Sequence, residues 1–255
     1  MLLTLDIGNT NMKAGLFEGK KLLHSWRLST RRNYTSDEMG VFFVNLFTHE
    51  DLSPDVVEGI LLSSVVPTLN FTVEHMCRDY FHQNPVLVAP GIRTGIDIKY
   101  ENPRELGSDR ICNAVAAYSI YGGPCVYIDF GTATTIGVMD GNGAFLGGCI
   151  CPGIKLAGEA LVNGTAKLPH FELNVPPTVI GKTTTANLQS GIIYGYVGQV
   201  DYLVRRMKAE MGAPDARVIA TGGMSRLIAE ISETITDIDG YLTLKGMQLI
   251  WEKNH

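Results

Sequence analysis

The chain has 255 residues, 45% of them hydrophobic and 18% charged, with a formal net charge of -5 and an isoelectric point near 5.7. That composition belongs to a globular protein of one large domain or two of roughly 100–150 residues, and the acidic balance argues against a nucleic-acid partner. No apolar stretch approaches the ~20 residues of a membrane span, Asp6 interrupts the N-terminal apolar run where a signal peptide would continue, and five scattered cysteines (Cys77, Cys112, Cys125, Cys149, Cys151) read as reduced residues of a cytoplasmic protein.

The first predicted elements are three strands. "LLTL" leads into the turn Asp6-Ile7-Gly8-Asn9-Thr10-Asn11, "KAGLF" follows it, and "KLLHSWRL" comes after a second turn at Glu18–Lys20. A helix is predicted over Ser36–Glu50, with Val41, Phe42 and Leu46 on one side. A strand "GILLSSV", a helix around Leu69–Tyr80 and a strand "PVLVAP" complete the first half. From Ser108 the segment ending at Gly122 reads as a helix, with Gly107-Ser108-Asp109-Arg110 at its start.

The second half repeats this order. "CVYI", the turn Asp129-Phe130-Gly131-Thr132-Ala133-Thr134, "TIGVM", the turn "DGNG" and "AFLGGCI" mirror the opening three strands. Aligning Asp6 with Asp129 lays Asp-Ile-Gly-Asn-Thr-Asn over Asp-Phe-Gly-Thr-Ala-Thr. A long helix over Ala186–Met211 follows, then the strand "RVIAT", a helix near Met224–Ile231, the strand "ITDI" and a last helix near Leu244–Glu252. Each half is β-β-β-α-β-α-β, and an internal repeat outranks any single motif as fold evidence. The expected fold class is therefore α/β: two ribonuclease H-like domains in the duplicated actin/hexokinase/chaperone superfold of acetate and sugar kinases. The expected domains are residues 1–122 and 123–255, with ATP in the cleft between the halves.

In that architecture the two hairpins hold ATP phosphates. Gly8 and Gly131 let backbone N–H groups approach a phosphate, and Asn9, Thr10, Asn11, Thr132 and Thr134 add neutral donors. Asp6 and Asp129 stand at strand ends, where a carboxylate can hold a hydrated cation, and Lys13 can reach the same anion. A single Asp-x-Gly turn is also ordinary hairpin chemistry; two in matching positions favour phosphate binding. "VIATGGMSR" adds a strand–Gly-Gly–helix turn suited to adenosine, whereas "GKT" at Gly181–Thr183 lacks the first P-loop glycine. Two readings of the Asp109 segment stay open. Asp109 is either a favourable first-turn acid or a general base, and Arg110 either a surface charge or a carboxylate clamp.

These residues carry a resemblance over almost the whole chain. "DIGNTNMK", "SSVVP", "ENPRELGSDR", "DFGTATT", "GGCICPG", "TAKLP", "IGKTT", "TGG" and "LTLKG", in this order, resemble the type III pantothenate kinases. Ser108 departs from that pattern, where alanine is common. The resemblance implies ATP-dependent phosphorylation of pantothenate to 4'-phosphopantothenate, the first step of coenzyme A synthesis. It implies Asp109 as the catalytic base and Asp6, Ile7, Gly8, Asn9, Thr10, Asn11, Met12, Lys13 and Thr132 as ATP contacts. Tyr100, Gly107, Ser108, Asp109, Arg110 and Thr184 are similar to the pantothenate pocket. Asp129 is similar to a monovalent-cation ligand for potassium or ammonium, and Asp6 would hold magnesium through water. A homodimer with a pocket completed across its interface, no nucleic acid and no membrane are further expectations. A sugar or N-acetylhexosamine kinase of the same superfold is the competing enzyme, and a chaperone-like ATPase the competing class.

Overall fold

A computed structural model describes all 255 residues. In chain order the elements are β1 (Leu2–Ile7), β2 (Asn11–Glu18), β3 (Lys21–Ser29), α1 (Ser36–His49), β4 (Gly59–Ser64), α2 (Pro67–Phe81) and β5 (Val86–Leu87). Next come β6 (Asp97–Ile98), α3 (Ser108–Tyr121), β7 (Cys125–Phe130), β8 (Ala133–Met139), β9 (Ala144–Pro152) and α4 (Ile154–Asn163). The chain closes with α5 (Thr184–Glu210), β10 (Arg217–Gly222), α6 (Ser225–Ala229), β11 (Asp237–Ile238) and α7 (Leu242–Asn254). No helix is long and apolar enough to cross a membrane.

The chain forms two compact units, and neither is an unbroken half. One holds residues 1–95, 101–116 and 242–255; the other holds 96–100 and 117–241. In the first, the strand order is β3-β2-β1-β4-β5, with β1 antiparallel to β2 and parallel to β4. Strand β1 is buried along its whole length because it is central and covered on both faces. Helices α1 and α2 cover one face with Met39, Phe43, Phe47, Val73, Met76 and Phe81. Helix α7 belongs to this unit although it ends the chain. Its Trp251 ring fills the space above Gly59, where a Cβ would lie 2.3 Å from the indole. Gly246 lets α7 cross α3 backbone against backbone, since a Cβ there would meet Cys112 O at 1.9 Å. Thr243 Oγ1 donates to Asn113 Oδ1 at 2.8 Å at the same crossing.

The second unit repeats the topology in the order β11-β10-β7-β8-β9, and β6 adds a parallel strand outside β9. The short "PVLVAP" strand is only Val86–Leu87, as Pro85 and Pro90 bound its ladder. Helix α4 was not expected. Its buried stripe Ile154, Gly158 and Val162 has helical spacing, and Gly153 and Gly164 cap it. Helix α5 packs Ile193, Tyr196, Val197, Val200 and Val204 against the apolar face of the sheet.

Asp201 ties α5 to the turn before β11. Its Oδ1 accepts from Ser232 Oγ at 2.6 Å and Thr234 Oγ1 at 2.7 Å, and Oδ2 accepts the Glu233 N–H at 3.0 Å. Burial pushes this carboxyl up, but those three donors and nearby Arg205 outweigh it and hold it below its ordinary value. A depressed carboxyl stabilises the fold above the unfolded pKa, about 3.9, and loses that contribution as pH falls through the folded value. Asp201→Ala should lower stability at neutral pH by about 2–4 kcal/mol in urea melts. The difference from wild type should shrink below about pH 3.9.

Candidate active site

The first site stands where β1 ends. Asp6 is buried, 5% exposed, and its neighbours in the sheet are Lys13 on β2 and Ser63 on β4. Lys13 Nζ lies 3.7 Å from Oδ2, and Ser63 Oγ donates to Oδ1 at 3.1 Å. A buried carboxylate survives only with such compensation. The turn beyond is closed by Gly8 N–H to Asn11 O at 3.1 Å, and Thr30 Oγ1 donates to Gly8 O at 2.7 Å. Asn9 and Thr10 are exposed, whereas the side chains of Ile7 and Met12 belong to the core. Ile7 and Met12 can therefore meet a ligand only through backbone atoms.

Helix α3 begins beside this carboxylate. Ser108 Oγ is 3.0 Å from Ser63 Oγ and 3.3 Å from Ser64 O. Asp109 is half-buried on the first turn, and its Oδ1 accepts the Arg110 N–H at 2.8 Å. Gly107 creates the room for that: a Cβ there would stand 2.5 Å from Asp109 Oδ1. Arg110 is only 6% exposed, which removes the surface-charge reading of this residue. Cys112, one turn on, is fully buried; burial first, then the nearby Asp6 and Asp109 charges, push its thiol far up, so it stays protonated.

The second unit carries the matching strand end. Asp129 is the penultimate residue of β7, is 8% exposed, and pairs in register with Thr135 on β8 and Thr221 on β10. Gly131 N–H bonds Ala133 O at 3.1 Å, so this turn is one residue shorter than the first. The structural match to Lys13 is therefore Thr135, and Asn11 matches Ala133 rather than Thr134. Thr132 is exposed at the turn, and its carbonyl accepts from Gly153 N–H at 3.1 Å. Gly222, at φ +90°, leaves a cradle: a Cβ would lie 2.5 Å from Asp129 Oδ1 and 2.6 Å from Phe130 O.

The structure thus brings Asp6 to Lys13 together with Gly107 to Arg110. Asp129 and Thr132 share a hairpin of the other unit. Tyr100 follows β6, its ring 6.2 Å from Phe145, while Thr184 is exposed at the start of α5, which Thr183 caps. Ser63 was legible only as part of a motif. Aligning "LLSS" with "IATG" through the repeat would have placed it opposite Asp6, as Thr221 is opposite Asp129.

A family model described as type III pantothenate kinase matches residues 2–206. A Campylobacter jejuni protein described as a Baf family transcriptional activator is similar in structure at TM-score 0.64 and 22% identity, over 99% of this chain and 98% of that one. The ethanolamine utilization protein EutJ of Carboxydothermus hydrogenoformans matches at TM-score 0.55 and 11% identity, over 97% of this chain and 89% of that one. A Listeria monocytogenes protein described as an N-acetylmannosamine kinase matches at TM-score 0.52 and 12% identity, over 100% and 99%. At such identities these structures speak to the fold alone: the duplicated fold of actin and hexokinase.

Gly107→Ala should push the Asp109 carboxylate from its place, because the far end of a side chain yields before backbone does. Turnover is expected to fall about tenfold or more. The melting temperature should stay within about 3 °C of wild type. A loss of stability with unchanged turnover would deny that Gly107 serves Asp109.

Proposed function

Because the chain belongs to the type III pantothenate kinase family, we propose that it transfers the γ-phosphoryl group of ATP to the primary hydroxyl of pantothenate. The products are 4'-phosphopantothenate and ADP. The observation that supports this reading most is a half-buried carboxylate, Asp109, directly followed by a buried guanidinium, Arg110, on the first turn of α3.

Phosphoryl transfer has a loose transition state, so positioning and charge neutralisation supply most of the catalysis. Asp109 takes the hydroxyl proton as the oxygen forms its bond to the γ-phosphorus and the bond to the β–γ bridging oxygen breaks. A positioned base of this kind contributes roughly 10²–10⁴-fold. Arg110 meets the pantothenate carboxylate with a planar fork of two charge-assisted hydrogen bonds, strengthened by exclusion from bulk water. Tyr100, Ser108 and Thr184 supply neutral hydrogen bonds to the rest of the acceptor. The exposed Asn9 and Thr10, the backbone of Ile7 to Met12, Lys13 and Thr132 are the proposed ATP contacts.

Asp6 is a single buried carboxylate beside the first turn. Such a donor fits magnesium, which keeps most of its waters and binds through one carboxylate and substrate phosphates. Asp6 would hold it, and the ion would neutralise phosphate charge. The oxygen-lined cradle at Gly222 fits a potassium or ammonium ion held by Asp129. A cytoplasmic homodimer completes the proposal.

Steady-state kinetics on pantothenate and pantothenol test the clamp. Pantothenol replaces the carboxylate by an alcohol, and truncating one side of a desolvated charge pair costs roughly 2–5 kcal/mol. Wild type should prefer pantothenate by about 30-fold or more in kcat/KM. Arg110→Ala should lose most of that preference, and Arg110→Lys should recover only part of it. Equal use of both substrates by wild type would remove the clamp.

A further inference from the structure

Ser63 has one proton and two possible acceptors. Asp6 Oδ1 lies at 3.1 Å and Ser108 Oγ at 3.0 Å. The first is charged, and a charge-assisted bond is roughly twice as strong as a neutral one, so the proton goes to Asp6. Ser63 can then only accept from Ser108. Ser108 donates either to Ser63 or, at the longer 3.3 Å, to Ser64 O. Ser63 and Cys112 are fully buried, while Ser108 is 7% and Asp6 5% exposed, so no bulk water competes for these bonds.

We propose that Ser63 is a positioning residue, its proton fixing the Asp6 carboxylate for the magnesium–ATP complex and its lone pairs anchoring the helix that carries Asp109. The role rests on the kinase reading above. It follows from the register of the sheet. Parallel pairing sets Asp6 beside Ser63, and both side chains emerge where α3 begins. The neighbour of Asp6 on the other side of the ladder is Lys13, whose ammonium forms an ion pair with the second oxygen at 3.7 Å. Oδ2 is drawn to Lys13 and Oδ1 to Ser63, which orients the carboxylate. The repeat keeps a hydroxyl at the same place, Thr221 opposite Asp129.

Calorimetry with magnesium and a non-hydrolysable ATP analogue reads this role without turnover. Ser63→Ala should weaken binding of the magnesium complex about tenfold, as loss of an outer hydrogen bond to a metal-binding carboxylate typically does. Its affinity for the analogue without magnesium should stay within about twofold of wild type. Ser63→Cys keeps the shape with a poor donor and should behave like Ser63→Ala; it serves if the alanine variant does not fold. Ser63→Thr, the residue used by the repeat, should restore binding. In activity assays the magnesium concentration for half-maximal rate should rise by the same factor. A folded Ser63→Ala or Ser63→Cys that binds the magnesium complex as tightly as wild type would overturn the positioning role. Wild type that consumes no ATP with pantothenate would overturn the kinase reading instead, whatever the binding data show.

Discussion

A carboxylate taken out of water is the constraint around which the first unit is organised. Asp6 sits 5% exposed at the end of a strand buried on both faces, where an isolated charge would cost several kcal/mol. The sheet answers with one partner from each side, Lys13 from the antiparallel neighbour and Ser63 from the parallel one. Neither could reach Asp6 if the register slipped by one residue, because every side chain would change face. The core beneath, from Leu3 and Leu5 to Phe43 and Phe47, fixes that register. Packing of apolar side chains thus decides where a charge can be kept for chemistry.

Duplication supplies the same device twice, and the copies have diverged at the partners. Where the first has Lys13 facing its carboxylate, the second has Thr135, and its turn is one residue shorter. A lysine beside Asp6 tempers the charge that a cation meets there. The second carboxylate faces neutral oxygens, including Phe130 O near the Gly222 cradle. Large, weakly hydrated monovalent ions suit such an oxygen-rich cradle, whereas magnesium retains its water and asks for little more than one carboxylate and phosphates. That difference in environment is the physical ground on which we propose different ions for the two carboxylates.

The strand-turn-strand repeats were legible because short continuous apolar runs and Asp-x-Gly turns are local signals. So was α3, which Ser108 opens, although its middle, residues 112–117, is buried on every side. The one-residue difference between the two turns was not, since small polar residues align equally well in either register. Helix α4 had its signal, the spacing of Ile154, Gly158 and Val162, but lay next to a glycine-rich strand end that reads as loop. The return of α7 to the first unit depends on contacts between residues far apart in the chain, Gly246 with Cys112 and Trp251 with Gly59. At the candidate site, the motifs marked Asp109 and Arg110, while the burial of Arg110 and the role of Gly107 needed coordinates. Ser63 stood out only once the strands were paired, although the repeat of "LLSS" in "IATG" carried a signal for it.

The central claim is that this chain phosphorylates pantothenate on its primary hydroxyl. Phosphorus NMR of a reaction containing the purified protein, ATP, magnesium, potassium and pantothenate tests it most directly. The account predicts a new phosphomonoester signal coupled to the terminal methylene protons of pantothenate, rising in step with ADP. Inorganic phosphate appearing with ADP and no phosphomonoester, or a phosphomonoester formed only when a sugar replaces pantothenate, would contradict it.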